Sequence, residues 1–77
     1  MRILLVEDDP ILGDGMVTAV RSKGYTVDWL TDGRQALQAL QTEDLDLAVL
    51  DLGLPGMDGL DVIREVRRKK IETPILI

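Results

Sequence analysis

The chain has 77 residues, 45% hydrophobic and 30% charged, with a formal net charge of -5 and neither cysteine nor histidine. That length admits one domain at most, burying roughly 60% of its unfolded surface, with no disulfide to reinforce it. No apolar run approaches the ~20 residues that span a bilayer, and so acidic a sequence lacks the basic footprint that grips duplex nucleic acid, so a soluble cytoplasmic protein with no membrane attachment is expected.

The first apolar run, Ile3-Leu4-Leu5-Val6, is short, unbroken and stopped by Glu7, Asp8 and Asp9. A signal peptide would stay apolar there; a strand buried on both faces of a parallel sheet would look like this. Asp9 can N-cap a helix whose first position is Pro10, where the missing N–H costs nothing. Ile11, Leu12, Met16, Ala19 and Val20 recur mostly at steps of three or four, predicting an amphipathic helix that reaches Lys23 and stops at Gly24. Tyr25 to Leu30 alternates polar and apolar residues and reads as a more exposed, edge strand.

Thr31 or Asp32 can cap the next helix, whose narrow apolar face of Ala36, Leu37, Ala39 and Leu40 runs to about Gln41. Leu45 to Leu50 predicts a central third strand ending at Asp51. Gly53, Pro55, Gly56 and Gly59 then supply turn chemistry, with Asp58 placed to start a helix. Leu60, Ile63 and Val66 form that helix's expected inner stripe. Arg64, Glu65, Arg67, Arg68, Lys69 and Lys70 form its wet side, and the basic run suits a solvated helix C-terminus better than a nucleic-acid patch. Pro74-Ile75-Leu76-Ile77 opens a fourth strand.

Strands alternating with helices, uninterrupted by repeats or linkers, predict an α/β fold with a parallel sheet. In a doubly wound order with strand one between strands two and three, ligands bind outside the carboxyl ends of the strands where the chain direction reverses. Glu7 and Asp8 end strand one and Asp51 ends strand three, so three acids meet at that crevice. Asp9 and Asp58 are explained as helix caps. For Glu7, Asp8 and Asp51 the mutual repulsion would cost stability unless a cation offsets it, and an all-oxygen ligand set suits Mg²⁺ rather than Zn²⁺. A cation bridging Asp51 and an incoming phosphoryl oxygen would neutralise charge in the transition state, making an aspartyl phosphate the expected product. Without histidine or cysteine there is no Ser/His/Asp set, no thiol nucleophile and no zinc cluster. The loop after strand one holds neither the Walker pattern nor a G-x-G-x-x-G series.

Val6-Glu7-Asp8-Asp9, followed by Leu50-Asp51-Leu52-Gly53-Leu54-Pro55-Gly56-Met57-Asp58-Gly59, resembles the response-regulator receiver signature of two-component signalling. The similarity covers all 77 residues and lies nearest the QseB/PmrA-like branch of the OmpR/PhoB class. It implies a flavodoxin-like, doubly wound parallel sheet. It also implies that residues 1–77 are the N-terminal part of a receiver, ending just inside strand four, with the rest of the receiver and any winged-helix DNA-binding domain lying beyond. The resemblance makes Asp51 the phosphoacceptor for a sensor histidine kinase. It makes Asp8 the direct Mg²⁺ ligand, Glu7 the acid that holds metal-bound water, and Gly53 the residue whose carbonyl completes the protein's share of the metal shell. Pro55 and Gly56 match the turn closing the acid pocket, with Met57 and Gly59 in the same signature. The family's Ser or Thr at the end of strand four and its Lys at the end of strand five are not among these residues. The function implied is a signalling switch rather than an enzyme, homodimeric and controlling transcription through DNA in the full-length protein. The competing expectation is a switch-incompetent fragment that self-associates through an exposed strand edge. A phosphatase of the haloacid dehalogenase type is disfavoured because Gly53 stands where it needs a second aspartate.

Overall fold

A computed structural model describes residues 1–77. Its elements are β1 (Arg2–Val6), α1 (Pro10–Ser22), β2 (Thr26–Leu30), α2 (Gly33–Thr42), β3 (Leu47–Leu50), α3 (Gly59–Arg68) and β4 (Ile75–Leu76). The strands are all parallel, in the order β2-β1-β3-β4, which is the doubly wound arrangement with β1 flanked by β2 and β3. β2 is an edge strand, and β4 forms the opposite edge. No helix is long and apolar enough to cross a membrane.

Strand residues alternate between the two faces. Leu4 and Val6 of β1, with Ala48 and Leu50 of β3, join Ala36, Ala39 and Leu40 of α2 and Val62 and Val66 of α3 in one buried cluster. Leu5 and Val27 face the other way and meet Val17 of α1, with Val20, Trp29 and Val49 packed against them. The sheet is thus covered by α2 and α3 on one face and by α1 on the other.

Each helix begins where the sequence places its cap. The Asp9 carboxylate accepts from the N–H groups of Ile11 at 2.9 Å and Leu12 at 3.3 Å, with Pro10 in the first turn. Asp32 does the same for Arg34 at 2.7 Å and Gln35 at 3.2 Å, and Asp58 accepts from Leu60 at 3.4 Å. Arg67 and Arg68 occupy the last turn of α3, where they complement the helix dipole. Arg68 pairs with Glu65 and Arg67 donates to the Ile71 carbonyl at 2.7 Å, so the basic run is a helix end closing on itself.

Several expectations are corrected. The third strand starts at Leu47 rather than Leu45, although Leu45 is buried. The second starts at Thr26, leaving Tyr25 exposed, and the fourth comprises Ile75 and Leu76 alone. More consequential, α1 presents a different stripe from the one predicted, and the stripe of α3 is partly shifted. In α1, Ile11 and Leu12 are 83% and 57% exposed, and the buried residues are Gly13 and Val17. In α3 the expected Val66 is fully buried and Ile63 packs against the larger cluster, but Leu60 is 43% exposed and Val62 is fully buried in its place. The cause is close approach at a glycine. A Cβ on Gly13 would overlap the Trp29 ring, and one on Gly59 would overlap the backbone of Asp51 and Leu52. Val17 and Val62, four and three positions on from these glycines, share their helix face and are buried with them.

Leu4 is fully buried at the centre of the larger cluster. Leu4→Ala should cost about 2–5 kcal/mol, a large share of the total on the order of 4–12 kcal/mol expected for a chain of this size. Urea unfolding measures it, and a loss below ~1 kcal/mol would contradict the assigned core.

Candidate functional site

The sheet delivers the acids. The Asp51 N–H donates to the Val6 carbonyl at 3.1 Å, and the Glu7 N–H donates to the Leu30 carbonyl at 3.0 Å, so the parallel ladders extend one rung past Val6 and Leu50. Because strand residues alternate in direction, Glu7 and Asp51 project to the side of Leu5 and Val49, away from the larger cluster. There an apolar cleft of about 240 Å³, with Leu5, Met16, Val49 and Ile77 in its walls, borders both carboxylates.

Carboxylate oxygens of Glu7, Asp8 and Asp51 lie within 4.8 Å of one another. Asp8 and Asp51 are exposed, whereas Glu7 is only 8% exposed. The Glu7 carboxyl is pushed above its ordinary value, first by burial, then by hydrogen bonding to Asp51 and by the charges of Asp51, Asp8 and Asp9. None of the four ion pairs in the molecule involves these three acids. The opposite rim of the sheet differs. There Arg2 bonds Asp28 at 2.8 Å and Glu43 at 2.5 Å, and its N–H donates to Asp46 at 2.7 Å. Acids at one end of the strands are neutralised by a guanidinium, and acids at the other end face one another.

The loop after β3 is braced from below. Gly33, at the start of α2, donates its N–H to the Pro55 carbonyl at 3.0 Å, and Gly59 donates to Leu52 at 3.0 Å. Gly56 has φ +78° and abuts the Asp32 carboxylate. The Pro55-Gly56 turn therefore rests on the cap of α2. Gly53 lies in this loop, exposed, with open space where a side chain would stand. Of the residues singled out in the sequence, Glu7, Asp8 and Asp51 are brought together, and Asp9 and Asp58 act as caps. One neighbour was missed. The Trp29 indole N–H donates to the Glu7 carbonyl at 3.0 Å, a contact signalled only by the alternation that turns Trp29 to the same face as Val27.

The model of the response regulator receiver domain family matches residues 3–77. The chain belongs to that family. It is 52% identical over 77 residues to the transcriptional regulatory protein QseB of Escherichia coli O157:H7, covering 100% of this chain and 35% of that protein. Identity and coverage are the same, 52%, 100% and 35%, for the response regulator PmrA of Pseudomonas aeruginosa. This receiver thus spans about a third of the curated relatives it matches. Among solved structures, TrrA of Thermotoga maritima in complex with Mg²⁺ and BeF superposes with a TM-score of 0.88 at 35% identity, covering 96% of this chain and 64% of that one. TrrA has also been solved in complex with the histidine kinase ThkA. The four-stranded parallel sheet and its three helices are the receiver's flavodoxin-like fold.

The raised Glu7 carboxyl makes this receiver's stability pH-dependent in the absence of divalent cations. A raised acid binds its proton more tightly folded than unfolded. Its stabilising contribution is therefore present below the ordinary value of 4.5 and is lost as pH rises through the higher folded value. Urea midpoints measured from pH 4 upward in chelator should fall more steeply for the parent than for Glu7→Gln; parallel curves would contradict the burial and crowding described.

Proposed function

We propose that Asp51 accepts a phosphoryl group from a sensor histidine kinase, with Mg²⁺ held by the acid cluster. The carrying observation is the convergence of Glu7, Asp8 and Asp51 with no protein cation among them. In the reaction an Asp51 carboxylate oxygen attacks the phosphorus of the kinase's phosphohistidine. A P–O bond forms as the P–N bond breaks, and the leaving nitrogen keeps the electron pair. Asp51 suits the role because it is exposed and stands at the end of an inner strand, whereas Glu7 is buried and its carboxyl raised.

The donor set fits a hard divalent cation, since it is all oxygen and partly exposed. Asp8 and Asp51 would hold the ion directly, Glu7 through a water, and Gly53 through its carbonyl. Mg²⁺, when bound, supplies positive charge beside the transferring phosphoryl oxygens. The chain is in this reading the substrate of a phosphoryl transfer, a signalling domain rather than an enzyme. Support for the kinase comes from TrrA, which has been solved with one. Support for transcription control in the full-length protein comes from the relatives' description as transcriptional regulators.

Two outcomes follow. In the full-length protein, Asp51→Ala should abolish kinase-dependent phosphorylation, read as retained label, and label surviving on Asp8 or Glu7 would contradict the assignment. Calorimetry should show Mg²⁺ binding weakened by Asp8→Ala and by Asp51→Ala separately, and equal binding by parent and double mutant would refute the metal site.

A further inference from the structure

Glu7 is where β1 leaves the sheet, and both sides of this residue are tied to β2. Its N–H donates to the Leu30 carbonyl at 3.0 Å. A continued parallel ladder would next bring the Asp32 N–H to the Glu7 carbonyl. β2 has already ended, however, and Asp32 has turned away to cap α2. A side chain makes the bond instead, the Trp29 indole donating to the Glu7 carbonyl at 3.0 Å. That carbonyl belongs to the planar peptide unit joining Glu7 to Asp8, so its direction helps to set where the Asp8 side chain leaves the backbone.

Trp29 is itself held in place. Its ring lies against α1 at Gly13, where a Cβ would overlap it, and packs against the cluster of Leu5, Val17 and Val27. Further along the chain, Asp9 is fixed by its cap bonds to Ile11 and Leu12. The short acidic segment is thereby anchored at both ends, by the indole at Glu7 and by the helix start at Asp9.

We infer that Trp29 is a positioning residue for the acid cluster, its indole N–H orienting the Glu7–Asp8 peptide so that the β1 carboxylates face Asp51. The inference rests on the cluster being the Mg²⁺ site. It assigns Trp29 no contact with the ion; Trp29 acts through the carbonyl it holds, as outer partners commonly do in metal sites.

The test replaces Trp29 in the full-length protein with 3-benzothienylalanine, which keeps the ring and substitutes sulfur for the N–H. Calorimetry well below the melting temperature gives the Mg²⁺ dissociation constant, and thermal melting in chelator gives stability. Loss of one hydrogen bond should weaken Mg²⁺ binding roughly threefold to tenfold while melting changes little. Trp29→Phe, which keeps an aromatic ring beside Gly13, should show the same weakening. Unchanged Mg²⁺ affinity in both variants, with or without a lower melting temperature, would make Trp29 a packing residue and overturn the inference. Asp8→Asn separates the two levels: if it binds Mg²⁺ as the parent does, the reading of the acid cluster fails, and the role of Trp29 fails with it.

Discussion

Electrostatic repulsion among Glu7, Asp8 and Asp51 is the constraint around which this end of the molecule is organised. Three carboxylates with oxygens within 4.8 Å of one another and no guanidinium or ammonium paired with them raise the free energy of the folded chain. The fold tolerates this because the acids stand on the ends of two adjacent strands whose backbones are hydrogen-bonded one rung beyond the strands themselves. At the opposite rim the chain handles the same problem differently, with Arg2 bridging Asp28 and Glu43. The contrast between the rims gives the acid cluster its meaning. Perturbed carboxylates of this kind are enriched at functional sites.

The surrounding scaffold converts that repulsion into a defined geometry. The larger hydrophobic cluster locks β1 and β3 together beneath α2 and α3, which fixes the spacing of Glu7 and Asp51. Caps at Asp9, Asp32 and Asp58 fix where each helix begins, and the Pro55-Gly56 turn rests on the second of these caps. The face under α1 is thinner, with three buried residues in its cluster, and the cleft beside the acids opens there. Rigid backbone and an accessible rim are thus found on the same strands, a combination suited to exchanging a ligand without rebuilding the site.

Much of this was legible in the sequence because local chemistry decided it. An Asp before a helix, Pro10 in the first turn and the glycine-proline run after Asp51 each have one favoured backbone use, and the structure uses them so. The meeting of Glu7, Asp8 and Asp51 followed from strand order alone. The inward face of α1 did not follow, and that of α3 followed for Ile63 and Val66 but not for Leu60. Each helix carries enough apolar residues for two overlapping stripes, and the choice was made by the close approach of Gly13 to Trp29 and of Gly59 to the end of β3. Those are tertiary facts. The bond from Trp29 to Glu7 was hidden for a similar reason, since its acceptor is a backbone carbonyl that no residue identity reveals.

The role proposed for Asp51 depends on the acid rim being a cation site. Crystals of the full-length protein grown with Mn²⁺ as an anomalously scattering stand-in for Mg²⁺ test this directly. The predicted result is a single strong peak on the rim of β1 and β3, within direct coordination distance of Asp8 and Asp51, and Glu7 joined to it through water. A peak bound elsewhere, or no peak at this rim with saturating Mn²⁺, would contradict it.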